Sequence, residues 1–251
     1  MLLVDCDPQF NATQYLVRDD VYLKHINDAS KGTIKDIFIP KTTAQVSTVR
    51  GVAKSQNKSK LPIEKCTLRI FSHSLGGVLD ILPSTLNLVE VQNAPRQTEN
   101  KLKAWLREKA VDYDYVIIDC PPTISIFTEA AILASDKYVV PIKPDALSVV
   151  GLPLLERYIE DFSADLGIKM EQIGMVFTMV RGPVPKAMKE LMDELRLNRK
   201  GMVFQEYLSQ ATSVAESASA QVPLVRYKKA SQRTKLQIVD ITKEFLKRTG
   251  G

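Results

Sequence analysis

Apolar and polar positions along the chain fall into short runs of β-formers alternating with longer segments of helical period. This is the pattern of parallel strands joined by crossover helices. It predicts strands at Leu2 to Asp5, Leu68 to Ser72, Leu86 to Val91, Tyr115 to Asp119, Tyr138 to Ile142 and Ile173 to Met179. Between them, Asn100 to Val111 places Leu102, Trp105 and Leu106 on one face, as an amphipathic helix packing on a sheet would. Ser148 to Leu166 reads as a second helix through Leu152, Leu155, Ile159 and Phe162. Pro185 to Leu197 reads as a third through Met188, Leu191, Met192 and Leu195. A terminal helix, Ser231 to Lys247, carries Leu236, Val239, Ile241, Phe245 and Leu246. No internal repeat is visible. Residues 41 to 62, rich in Lys, Ser, Thr, Gln and Asn, read as an exposed loop or insertion. The expected architecture is one α/β domain over residues 1–251, a mostly parallel sheet flanked by helices.

Composition narrows the class without naming an activity. The 251 residues suffice for one sizeable core, and 45% hydrophobic with 25% charged residues is the balance of a water-soluble globular chain. No apolar run has the length of a membrane span, and the start has no secretory pattern, so a cytoplasmic location is expected. Cys6, Cys66 and Cys120 are odd in number and lack C-x-x-C spacing, which argues against a disulfide framework or a structural zinc site. The net charge of +5 is unevenly spread. Seven basic residues lie between Lys41 and Arg69 against Glu64 alone, and eight between Arg226 and Arg248 against Asp240 and Glu244. Such stretches attract phosphate backbones, and equally serve as solvated faces.

Two strands carry the candidate chemistry. Met1-Leu2-Leu3-Val4-Asp5-Cys6-Asp7-Pro8-Gln9 ends a buried-strand pattern in two carboxylates. Asp114-Tyr115-Val116-Ile117-Ile118-Asp119-Cys120-Pro121-Pro122-Thr123 delivers Asp119 to a strand end, where paired prolines turn the chain away. Acids at the same sheet edge form a cleft able to hold Mg²⁺, which keeps several waters and takes few protein carboxylates, beside an attacking water. The plainer alternative is that Asp5, Asp114 and Asp119 cap loops or pair with basic neighbours. No G-x-x-x-x-G-K-[ST] phosphate loop occurs in the sequence, which lacks even a Gly-Lys dipeptide.

These segments resemble the ParA/MinD family of deviant-Walker P-loop ATPases, of SIMIBI type. Leu2 to Gln9 followed by Asn11-Ala12-Thr13 is similar to the family's second motif, and Tyr113 to Pro122 to its Walker B. Ile81-Leu82-Pro83-Ser84, Val139 to Pro144 with Ser148 and Gly151-Leu152, and Ala215-Glu216-Ser217 with Pro223-Leu224 and Tyr227 add weaker matches, the last with Glu and Ala in reversed order. The resemblance implies ATP and Mg²⁺ as cofactors. Asp7 would position or activate the attacking water, Asp5 would support catalysis and the metal shell, and Asp119 would hold Mg²⁺ through water. Pro8, Gln9, Pro121 and Pro122 would line the nucleotide, with Met179 and Arg181 on its adenine side. It further implies an ATP-dependent homodimer, a ParB-like partner that stimulates hydrolysis, and non-specific double-stranded DNA as ligand at the nucleoid. Arg181, Lys186, Lys189, Arg226, Lys228 and Lys229 are the candidate phosphate contacts. A membrane-surface role like that of MinD, through the amphipathic Ile241 to Arg248, and a non-catalytic remnant that keeps a binding surface are the alternatives. The family's glycine loop, its first strand and the following helix would all precede Met1. On the resemblance, Met1 is therefore an internal methionine of a longer frame or the gene is a degraded relative, and the chain alone should bind and hydrolyse ATP poorly.

Overall fold

A computed structural model describes residues 1–39 and 61–250. The chain gathers into two compact units that divide after Ser135. Most of the region expected to be an exposed loop, 41 to 60, lies outside the described residues.

The first unit is built on a four-stranded sheet of order β2-β3-β1-β4. β1 (Leu2–Asp5) lies parallel to both β3 (Val78–Leu82) and β4 (Val116–Asp119), while β2 (Leu68–Ser72) runs antiparallel to β3 at the edge. Leu2, Val4, Ile81 and Leu82 are fully buried, which explains the unbroken apolar reading of β1. Helices α1 (Asn11–Leu16), α2 (Asp19–Ile26), α3 (Ile34–Phe38) and α4 (Ile63–Cys66) precede β2. A 3₁₀ segment (Leu86–Asn93) and α5 (Asn100–Lys109) lie between β3 and β4, and α6 (Ile126–Ala134) follows β4. One core joins Leu2, Val4 and Cys6 to Phe38, Leu88, Leu102, Trp105 and Phe127.

The second unit pairs β5 (Lys137–Ile142) in parallel with β6 (Glu171–Phe177), connected by the 20-residue α7 (Ala146–Asp165). After β6 come α8 (Lys186–Asn198), α9 (Thr212–Ser219) and α10 (Gln232–Thr249). Asp145 and Ser231 cap α7 and α10 by accepting from the main-chain N–H of Ser148 and Thr234. Val140, Ile142, Leu152, Met175, Phe177, Met192 and Leu195 form its core.

The mostly parallel α/β architecture agrees with the pattern of the sequence, and one local expectation is corrected. Leu86 to Val91 is 3₁₀ helix, not strand: Leu88 and Val91 are buried while Leu86 and Val89 are exposed, a spacing of three that fits three residues per turn. The strand of that region is Val78–Leu82 instead. In α10 the inner face is mixed, with Ile238, Ile241 and Phe245 half-buried among polar residues. Thr234 and Gln237 are buried, whereas Leu236, Val239 and Leu246 are 38% to 50% exposed.

Candidate active site

The site of the first unit grows from the register of β1 and β4. Asp5 sits opposite Asp119 on the parallel strand, and the N–H of Cys6 donates to the Asp119 carbonyl at 2.8 Å, so both acidic strand ends stand at the same sheet edge. Asp7 follows in the turn that leads to α1, with Pro8 and Gln9 behind it. Its carboxylate Oδ1 accepts the Gln9 N–H at 2.8 Å. Phe10 closes the turn with φ at +45°, a left-handed backbone that is costly for an aromatic residue, and stacks on Tyr22 at 5.9 Å between ring centroids. Pro121 and Pro122 turn the chain away after Asp119.

The three carboxylates are held differently. Asp5 is fully buried, and burial, set against hydrogen bonds from Thr13 and Asp7 that lower it, pushes its carboxyl up to about 6. Its Oδ2 accepts both the N–H and the hydroxyl of Thr13, at 2.7 and 2.6 Å, and its Oδ1 accepts the Asp7 N–H at 3.3 Å. Asp119 opens to solvent, yet the desolvated strand end and then the charge of Asp7 raise its carboxyl above the ordinary range. Beside them, Cys120 is exposed, yet desolvation at the same strand end raises its thiol to about 11 and keeps it protonated.

This arrangement offers a hard cation few protein ligands. Among the described residues no group of three or more His, Cys, Asp or Glu side chains could hold a metal by itself. Asp7 and Asp119 are the acids of this edge that could hold Mg²⁺, which retains water and binds through one or two carboxylates. Of the remaining residues expected at the site, Met179 and Arg181 belong to the second unit, just after β6. Both are exposed, with Met179 at φ +56°. Lys186, Lys189, Arg226, Lys228 and Lys229 are also exposed in that unit. Two residues tie the Asp7 turn to the rest of the unit without having been assigned a role from sequence: Thr13 and Ser84. Both stood in motif-like segments, N-A-T and L-P-S, but only the fold shows what they bond.

Parallel strands that end in paired acids, with helices in the crossovers, define an α/β protein of the kind that binds ligands at the carboxyl ends of its strands. The particular family is then settled by comparison: residues 1–172 match the AAA domain family, and the chain belongs to it, within the ParA/MinD group of P-loop ATPases. The chain is 26% identical over 253 residues to the sporulation initiation inhibitor protein Soj of Bacillus subtilis, covering 97% of this chain and 85% of that one. It is 29% identical over 153 residues to the chromosome partitioning protein ParA of Myxococcus xanthus, covering 59% and 53%. In fold it is similar to a crystal structure of a putative plasmid partition protein from Borrelia burgdorferi bound to AMPPNP. That match has a TM-score of 0.72 at 19% identity and covers 98% of this chain and 86% of the other.

Proposed function

We propose that this protein is a partition ATPase that binds Mg·ATP at the Asp7 and Asp119 strand ends, associates non-specifically with double-stranded DNA as a homodimer, and is stimulated by a ParB-like partner. The observation that carries the reading is the common sheet edge of Asp5, Asp7 and Asp119, reached by two parallel strands in register. Phosphoryl transfer asks for little covalent help. A carboxylate that orients water and a cation that offsets phosphate charge do most of the work. Asp7 is the group for the water, since one of its oxygens makes only the Gln9 bond of its own turn. Asp119 is the group for the cation. Without a G-x-x-x-x-G-K-[ST] loop among its residues, this chain supplies few amides and cations for the triphosphate, so turnover should be slow.

The relatives named for chromosome partitioning favour this reading over a membrane-surface one, and so does the terminal helix. Arg248, near the end of α10, donates to the carbonyls of Ile173, Gly201 and Val203 and pairs with Glu244 at 2.6 Å, tying the helix end to its own unit. Among the described residues no helix is long and apolar enough to cross a membrane. The test is magnesium-dependent phosphate release by the chain beside its Asp7→Ala variant. Slow release that falls at least about 100-fold in the variant is expected. Release that is equal in both proteins would overturn the assignment of Asp7.

A further inference from the structure

We propose that Asp5, Thr13 and Ser84 form a hydrogen-bonded ring that fixes the backbone of Asp7, and that Asp5 serves as a positioning residue for Asp7 and not as a metal ligand. The inference rests on the reading of Asp7 as the water-orienting group. It begins from the way buried polar atoms must be satisfied. Thr13 donates its N–H and its hydroxyl to Asp5 Oδ2, and its Oγ1 in turn accepts the Ser84 N–H at 3.0 Å. Ser84 donates its own hydroxyl to the Asp7 carbonyl at 2.8 Å, and the Asp7 N–H donates to Asp5 Oδ1. The ring is thereby closed: Asp7 is gripped at its N–H by Asp5 and at its C=O by Ser84.

Ring members are out of water, with Asp5 and Ser84 at 0% and Thr13 at 1% exposure. The three donors on Asp5 occupy both of its oxygens, which leaves them badly placed to face a cation. Ser84 is itself fixed from outside the ring, since the Tyr22 hydroxyl donates to its carbonyl at 3.0 Å and the ring of Tyr22 stacks on Phe10. With its peptide groups held on both sides, Asp7 keeps only its side-chain torsions, so its carboxylate is aimed before any substrate arrives. Such aim is what water orientation requires, because a misplacement of about 1 Å can cost on the order of 100-fold in rate.

The experiment compares the full chain with its Thr13→Val, Thr13→Ser, Ser84→Ala and Asp5→Asn variants by two readouts. The first is amide hydrogen exchange at Asp7 and Gln9, with the Met175 amide, bonded to the Met202 carbonyl of the second unit, as a folded reference. Thr13→Val and Ser84→Ala should speed exchange at Asp7 and Gln9 by at least about 10-fold while Met175 is unchanged, and Thr13→Ser should restore protection. The second is Mg·ATP hydrolysis. There kcat should fall about 10- to 100-fold in Thr13→Val, Ser84→Ala and Asp5→Asn, with KM and the Mg²⁺ concentration dependence within about threefold of the parent, and Thr13→Ser should recover most of it. Wild-type exchange at Asp7 and Gln9 in both Thr13→Val and Ser84→Ala overturns the ring. A shifted Mg²⁺ dependence in Asp5→Asn alone, or loosened exchange with kcat intact, overturns the positioning role. If the parent chain turns over no ATP, the proposed function fails, and the exchange readout still decides whether the ring holds Asp7.

Discussion

Asp5 and Asp7 stand two residues apart and carry the same functional group, yet the fold treats them as different chemicals. Asp5 is sealed behind Thr13, and because burial holds its carboxyl at about 6, the folded protein binds more protons there than the unfolded chain between about pH 4 and pH 6. Its contribution to stability therefore falls as pH rises through that window and is level above it. Asp5→Asn removes the titration, so the difference in unfolding free energy between parent and variant isolates this one group from every other carboxylate. Urea unfolding at pH 4, 5, 6 and 7.5 should show the parent losing about 2–3 kcal/mol relative to the variant between the lowest and highest pH. A pH-independent difference would mean that Asp5 titrates as in the unfolded chain. The same residue shows why the sequence could point to the acids without ranking them. The strand pattern brought Asp5, Asp7 and Asp119 to one edge, but which carboxylate is consumed by hydrogen bonds depends on Thr13 and Ser84, separated by 71 positions.

At the level of elements, the buried strands and the long crossover helix were legible because their apolar periods are set by faces buried against the core of their own unit. The 3₁₀ segment misled because Leu-Asn-Leu-Val-Glu-Val is a short run rich in β-formers, while the local packing buries Leu88 and Val91, three residues apart. The inner face of α10 was only partly legible, because polar residues share it with Ile238, Ile241 and Phe245. Arg248 spends its guanidinium on three carbonyls and lies 4.3 Å above the Phe204 ring centroid, so a charged residue anchors the end of the helix. Gly174 makes that approach possible. It sits where the β5–β6 register shifts, at φ +148°, and a Cβ there would lie 2.6 Å from the Met202 carbonyl and 2.7 Å from Arg248 Nη1. Gly174→Ala must therefore move backbone as well as the guanidinium, and should cost on the order of 2–4 kcal/mol. Arg248→Ala leaves the three carbonyls without their charged donor and should cost a similar amount. Urea midpoints of both variants check this. A Gly174→Ala midpoint equal to that of the parent would show that β6 and the end of α10 are less tightly joined than the contacts require.

Across the whole molecule, acid chemistry and basic surface belong to different units: the carboxylates close the strands of the first, while Arg181, Lys186, Lys189, Arg226, Lys228 and Lys229 are exposed in the second. On the proposed function these cations should act on DNA through counterion release and not through base recognition; Lys186, for one, meets Glu190 at 3.7 Å on an open helix face, and a surface pair of that length holds a lysine weakly. Binding to duplexes of unrelated sequence should thus be similar at equal salt, and the logarithm of the association constant should fall linearly with the logarithm of salt concentration. Each phosphate contact adds about 0.9 to that slope, so Lys228→Ala with Lys229→Ala should reduce it by up to about 2 and weaken binding to all sequences alike. Filter binding at 50 to 200 mM salt, on the order of the range where such contacts are felt, separates the possibilities. A slope unchanged by the pair of substitutions would remove Lys228 and Lys229 from the interface, and binding indifferent to salt would remove the phosphate backbone as its ligand.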